Sequence, residues 1–279
     1  MEWWMWPILL FVVSFGIGVV AVCAGVGGGV LFVPIVSGFF PFHLDFVRCA
    51  GLCVALSLSL AAGPDLLKRG LADLRLAIPA ALVASTTSIA GALLGLAMPV
   101  HILQVTLGVV ILAIVAVMVS ARNYEFPQVR SPDTLCSILG IGCVYHEQSE
   151  NRDIHWQVHR TPQGLLAFVF IGLLAGMFGL GAGWANVPVL NLIMGAPLKV
   201  SVGTSVFLLA ITDTSAAWVY INQGALFPMV VIPSVIGVML GSLIGAQLLS
   251  RARPRAIRHL VIGLLIFAGL RAIAKGLGY

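Results

Sequence analysis

Two glycine-rich segments carry the clearest chemical signal in this chain: 25–29 (Gly-Val-Gly-Gly-Gly) and 179–183 (Gly-Leu-Gly-Ala-Gly). Each interrupts a long apolar stretch and each is followed by a proline, Pro34 or Pro188. Glycine lets the backbone turn tightly and lets a ligand approach the main chain. Non-helical backbone at membrane depth is tolerated only where it is buried in protein or lines a cavity. The half-helix after such a break offers free N–H groups and the positive end of its dipole, which suit an anion. Gly25, Gly27, Gly28 and Gly29, with Gly179, Gly181 and Gly183, are therefore candidate anion-binding positions. A single turn of this kind reads equally well as tight packing between helices. Its occurrence twice, at one register, favours a site.

Polar side chains elsewhere in the apolar stretches add to it. At about 100° per residue, Ser201, Thr204, Ser205, Thr212 and Ser215 share an arc of one helix. Cys49 and Cys53 occupy the places of Ser201 and Ser205 in the first half. Such a stripe serves either as hydrogen-bonding glue between helices or as a substrate path. Asp213 is the acidic residue well inside an apolar span. An intramembrane carboxylate is costly, and proton coupling is its usual use. The plainer alternative is a carboxyl hydrogen-bonded to Thr or Tyr neighbours. Arg48 and Lys199 begin equivalent helices. They read as charges that attract an anion to each mouth, or as interfacial residues that snorkel.

These residues must be positioned by a doubled scaffold. Gly18 and Gly172, Pro34 and Pro188, Gly70 and Gly224, Pro79 and Pro233, and Gly91 and Gly245 all lie 154 residues apart. Hydrophobic residues are 60% of the 279 and charged ones 9%, far below the roughly 25% of a soluble domain. This is the composition of an integral membrane protein. The net charge of +5 fits basic cytoplasmic loops, so no nucleic-acid partner is expected. The tryptophans at 3, 4 and 6 read as an interfacial anchor rather than part of a signal peptide.

The apolar segments are expected at 7–40, broken at 25–29, then 46–62, 76–98 and 100–120. In the second half they are 164–196, broken at 179–183, then 200–219, 228–250 and 256–277. GxxxG spacing at Gly91/Gly95 and Gly237/Gly241/Gly245 predicts close helix packing. Equivalent loops have opposite charge character. The 63–75 loop is basic and its counterpart near 220–228 is uncharged; the 97–101 turn lacks Lys and Arg and its counterpart at 251–258 has four arginines. If each broken segment enters and leaves on one side, twelve of the 15 basic residues fall on one face. The positive-inside rule selects that arrangement. The expected fold is thus all-α, with two inverted repeats, each a Gly-broken re-entrant hairpin plus three transmembrane helices. The repeats are 1–120 and 164–279. Between them, 121–163 reads as a cytosolic loop with a β-hairpin, from alternation at 144–147 and 154–159.

Cys136, Cys143, His146, His155 and His159 gather in that loop, but their spacing matches no standard zinc pattern. No metal site or cofactor is expected. HExxH, GxSxG and Walker signatures are absent, so nothing supports an enzyme or an ATP-driven pump.

The chain resembles the TauE/SafE family, the sulfite exporter and toluene-sulfonate uptake permease group. The resemblance rests on the segments 24–34 and 176–188, on 194–200 (Met-Gly-Ala-Pro-Leu-Lys-Val), on Gly203-Thr204-Ser205, and on the Tyr145…Trp156 hairpin ending at Arg160. It implies a multi-pass permease for sulfur-containing or related organic anions. The chain departs from the family pattern at Ala182 and Trp184. An indole beside the break narrows the cavity or stacks on a substrate, so Trp184 and Asn186 join the candidate substrate-binding residues.

The expected function is a secondary transporter of a small anion such as sulfite or a sulfonate, with Asp213 as the proton-coupling candidate. A passive anion channel and a non-transporting membrane scaffold presenting the loop are the alternatives. The expected partners are the small anionic substrate and the lipid bilayer, with a homodimer left open. The expected location is the cell inner (cytoplasmic) membrane, with both termini outside.

Overall fold

In the computed structural model, residues 5–24, 27–68, 70–120, 133, 136, 141–147, 152–249 and 254–278 are described. The first half contains α1 (Met5–Ala24), α2 (Gly28–Phe39), α3 (Leu44–Lys68), α4 (Leu74–Ala97) and α5 (Val100–Ser120). Two short strands follow, β1 (Gly142–Glu147) and β2 (Arg152–Gln157), paired antiparallel with Gly142 opposite Gln157. The second half contains α6 (Thr161–Phe178), α7 (Gly183–Pro188) running into a π-helical turn (Val189–Ile193), α8 (Leu198–Asn222), α9 (Pro228–Leu249) and α10 (Pro254–Gly276). The protein is an all-α integral membrane protein with one small β-hairpin. Among the described residues, five helices are long and apolar enough to cross a bilayer: α3, α4, α5, α6 and α8.

The start of α4, two residues ahead of the apolar pattern, is set by a cap. Asp73 starts α4, accepting hydrogen bonds from the amides of Arg75 at 2.8 Å and Leu76 at 3.1 Å, the role of an N-cap carboxylate. Beyond Pro188 the helix loosens into the π turn, where the Met194 amide reaches back to the Val189 carbonyl.

Each glycine break turns the chain back on itself. The Trp6 ring at the start of α1 lies 5.8 Å from Phe40 and 5.9 Å from Phe42, just past the end of α2. In the second half the His159 amide, just before α6, donates to the Met194 carbonyl, just after the π turn, at 2.9 Å. A helix rises 1.5 Å per residue, so a chain continuing straight through either break would hold these ends tens of ångströms apart.

The helices pack in pairs that exchange partners between the halves. α1 lies on α9 as α6 lies on α4, α3 lies on α9 as α8 lies on α4, and α3 with α8 and α5 with α10 are counterpart pairs. The detail follows the same 154-residue register. A Cβ on Gly18 would stand 2.4 Å from the Val238 carbonyl oxygen, and one on Gly172 would stand 2.3 Å from that of Ala84. Four of the GxxxG glycines pack as expected: Gly91 and Gly95 abut the Leu173 and Met177 carbonyls of α6, and Gly237 and Gly241 those of Phe11 and Phe15 in α1, while the surroundings of Gly245 lie outside the described residues. Without a hydrophobic force between helices in lipid, this close approach carries much of the association.

Candidate functional site

The two breaks meet. A Cβ on Gly183 would lie 3.3 Å from the Gly27 nitrogen, and one on Gly29 would lie 2.5 Å from the Leu180 carbonyl oxygen. The hairpin tips therefore touch through backbone, at positions that admit no larger residue without a shift. Gly181 has φ +70°, and a Cβ there would meet Asp213 Oδ2 at 3.1 Å and the Ala55 methyl at the same distance. Gly27, Gly29, Gly181, Gly183 and Asp213 thus converge. Gly28 instead faces the side chains of Val54 and Leu58 on α3, and Gly179 packs on the backbone of Arg48. Gly25 lies outside the described residues.

Around this junction, buried polar atoms lack hydrogen-bond partners. They are both carboxyl oxygens of Asp213, the Thr212 hydroxyl, both amide atoms of Asn186 and the indole nitrogen of Trp184. Asp213 is 0% exposed and Asn186 and Thr212 are 1%. Two helices hold them. α7 starts at Gly183 and places Trp184 and Asn186 in its first turn. α7 packs on α8, and a Gly183 Cβ would lie 3.1 Å from Leu209, one turn before Asp213. Each buried polar group left unpaired costs about 1–3 kcal/mol. Several of them occur on two helices that pack together, which makes this the candidate site.

The rest of the polar stripe is already engaged. Ser201 Oγ donates to the Ala196 carbonyl at 3.2 Å. Thr204 Oγ1 accepts the Asp73 amide at 3.1 Å, which ties the start of α4 to α8. Ser215 Oγ donates to the Ile211 carbonyl at 3.0 Å. Ser205 is buried. Ser201, Thr204 and Ser215 thus spend hydrogen-bonding capacity within the helix packing, whereas the buried Thr212 hydroxyl has no partner. Cys49 is buried and Cys53 half-buried on α3, and Cys53 lies within electrostatic reach of Asp213.

Lys199 is exposed, but Arg48 is not the mouth-facing charge that its sequence position suggests. It is 1% exposed. Its Nη1 donates to the Met177 carbonyl at 2.8 Å, its Nη2 pairs with Asp45, and its guanidinium lies 5.2 Å over the Tyr220 ring. Tyr220 Oη donates to the Gly176 carbonyl at 2.9 Å. Arg48 and Tyr220 together hold the C-terminal end of α6, whose last carbonyls would otherwise have no partner. Sequence reasoning missed Tyr220. Its place seven residues after Asp213, two turns on along the same face, was the available signal.

A profile described as sulfite exporter TauE/SafE matches residues 10–272, which takes in both hairpins and every candidate residue above. The chain belongs to the TauE/SafE family. Among curated proteins it is similar to the probable membrane transporter protein YunE of Bacillus subtilis (strain 168), at 24% identity over 136 residues. That match covers 49% of this chain and 50% of the relative, so the chain spans about half the length of the curated relative it matches. No solved structure matches it. This TauE/SafE member has several helices of membrane-spanning length and composition, as a multi-pass membrane protein requires.

The loop between the halves of this TauE/SafE protein is clamped to the base of the second hairpin. Asp133 accepts hydrogen bonds from the Thr161 amide (2.8 Å), the Thr161 hydroxyl (2.8 Å) and the Cys136 amide (3.0 Å). Partial burial works to raise the Asp133 carboxyl, but these hydrogen bonds outweigh it and hold the group below its ordinary value. Burial pushes the Cys136 thiol up, and its Sγ donates to the Ile141 carbonyl at 2.9 Å. That is a packed thiol rather than a thiolate ligand. His159 is described, while the side chains of Cys143, His146 and His155 lie outside the described residues.

Proposed function

We propose that this protein is a secondary transporter that carries a small sulfur-containing or organic anion, such as sulfite or a sulfonate, across the cell inner membrane. The observation that carries this reading is the set of unpartnered buried polar groups beside the contact of the two hairpin tips. The Asn186 amide, the Thr212 hydroxyl and the Trp184 indole supply N–H and O–H donors for an oxyanion. At the Gly27–Gly183 contact the two hairpins meet backbone to backbone. Asp213 closes the site from α8. A carboxylate left without a partner in so dry a place is far costlier than its neutral acid, which suits a group that takes up and gives up a proton as the anion enters and leaves. That supports coupling to protons over a passive channel.

The doubling-back of both broken segments supports inverted repeats. Three long helices follow each hairpin, an odd number of crossings, so the second repeat starts from the opposite face. With the positive-inside rule this puts the 121–163 loop in the cytosol and both termini outside. Transport then proceeds by one hairpin-bearing bundle rocking against the other around the shared site.

The test is a proteoliposome flux assay over sulfite, several sulfonates and carboxylates, with and without an imposed pH gradient. The reading expects saturable flux of a sulfur oxyanion that the gradient drives. Flux of none of these anions contradicts the substrate class. Unsaturable flux indifferent to pH indicates a channel.

A further inference from the structure

An open cleft lies at the base of the first hairpin, away from the hairpin tips. It offers about 620 Å³ between Trp6, Phe39, Phe40, Pro41, Arg271 and Lys275. Two cations and no acidic side chain are among the described residues lining it. Each cation is held by one contact with the end of α2. Arg271 Nε donates to the Gly38 carbonyl at 2.8 Å and Lys275 Nζ to the Ser37 carbonyl at 2.7 Å. These bonds fix the direction of both side chains and use one donor from each. A guanidinium has five N–H donors and an ammonium three, so several remain for a ligand. The Arg271 guanidinium also rests 4.7 Å over the Phe39 ring.

The surface next to the cavity is apolar. Phe267 lies one turn before Arg271 on the same face of α10 and stacks on Phe39 at 5.9 Å. Phe39 is 48% exposed, Phe267 59% and Leu270 55%. Arg271 and Lys275 are in the last turns of α10, which ends at Gly276, so the charges sit at the helix end and the apolar seam runs back along the helix from them. Charged groups at a helix end, an aromatic wall beside them and an exposed apolar track behind them match one kind of molecule. It has an anionic head and long apolar tails.

We propose that this cavity binds the phosphate headgroup of an anionic phospholipid, whose acyl chains lie over Phe39, Phe267 and Leu270. The headgroup would bridge α10 and the C-terminal end of α2, and so join the first hairpin to its neighbouring helix through a lipid.

The test uses the full-length protein, purified and stripped of lipid, with native mass spectrometry during titration with phosphatidylglycerol or phosphatidylcholine. Near a membrane surface each Lys or Arg favours an anionic lipid by about fivefold. The wild type is expected to prefer phosphatidylglycerol by at least that factor. R271Q/K275Q is expected to lose the preference and R271K to keep it. Equal binding of the two lipids by the wild type, or an unchanged preference in R271Q/K275Q, would overturn the proposal. So would displacement of phosphatidylglycerol by millimolar inorganic phosphate, which would show a site for the free oxyanion. Because Arg271 and Lys275 also cap α2, the double variant risks misfolding. F267A leaves both caps in place and is expected to weaken phosphatidylglycerol binding through the lost acyl-chain contact while the fold is unchanged; undiminished binding there would overturn the proposal as well.

Discussion

Phe32 and Asn186 stand 154 residues apart, at matching places in the two hairpins, and so do Val30 and Trp184. The first hairpin fills these places with fully buried apolar side chains. The only side-chain hydroxyl in its return limb, that of Ser37, donates to the Pro34 carbonyl within the same helix. The second hairpin puts an amide and an indole there, both without partners. Its base is clamped by the loop through Asp133 and the His159 amide, whereas the base of the first is held by Arg271 and Lys275. A duplicated sequence thus gives matching helix contacts in both halves, while the unpartnered polar side chains at these places belong to one copy. Duplication makes this division possible. Once two hairpins meet tip to tip, one can remain an apolar wall while the other acquires the polar groups.

The largest expected effect comes from closing the junction that both hairpins share. Gly183→Leu drives a side chain into Gly27 and Leu209 and is expected to abolish flux while protein remains in the membrane. Gly263→Ala, at a glycine with open space around it, is the matched control and is expected to transport normally. Wild-type flux in Gly183→Leu would mean that the tips do not form the site.

Next is the carboxyl that faces the second hairpin. Asp213→Asn keeps the shape and cannot ionise. The expected result is loss of gradient-driven uptake with retained equilibrium exchange, both measured in the same liposomes. Gradient dependence that survives would reject Asp213 as the coupling group and leave it a structural residue.

Arg48 sharpens the comparison from the side of stability. It holds the tip of the second hairpin, whereas Lys199, the basic residue that begins the equivalent helix, is exposed, and Val202 stands 154 residues on from Arg48. Removing one member of a buried ion pair typically costs about 3–5 kcal/mol, and Asp45 is partly solvated, so Arg48→Gln is expected to fall at the low end. A thermal melt followed by size-exclusion chromatography measures it. A melting temperature equal to wild type would show that the tip is held by other contacts.

The smallest effect is expected at the loop clamp. Asp133→Asn weakens the cap on α6 by about 0.5–2 kcal/mol, seen as faster hydrogen exchange of the Thr161 amide. The carboxyl is held below its ordinary value in the folded protein. Its contribution is therefore complete above the unfolded value and is lost as pH falls through the lower folded one. Thr161 exchange, corrected for its intrinsic pH dependence, should keep its protection down to mildly acidic pH and lose it only below. Protection already lost near neutral pH would contradict the assignment.

Much of this was legible in the sequence. The 154-residue register, the two breaks and the GxxxG contacts depend on glycine, whose placement is dictated by backbone geometry and leaves a local trace. Asp213 was legible for a different reason: a carboxyl in an apolar span stands out by its cost. The roles of Ser201, Thr204 and Arg48 were not legible. Periodicity places Ser201 and Thr204 on one face with Thr212, but cannot say that the turn at Ala196 folds back onto Ser201 or that Asp73 arrives from 131 residues away to use Thr204. Arg48 looks interfacial when only its own helix is considered. Its burial is decided by the end of α6, 129 residues away, and no local pattern carries that information. The π turn after Pro188 was missed because it depends on hydrogen bonds that bridge Val189–Ala196 rather than on composition.

The central claim is that the second hairpin binds the anion and the first serves as its wall. Substrate exchange in proteoliposomes, measured over a range of concentrations for Asn186→Ala and for Val30→Ala, tests it most directly. Hydrogen bonds to a charged group contribute about 1.5–3 kcal/mol, so Asn186→Ala is expected to raise the half-saturating concentration about tenfold or more, with Val30→Ala near wild type. Equal shifts in the two variants, or a larger one in Val30→Ala, would contradict the account.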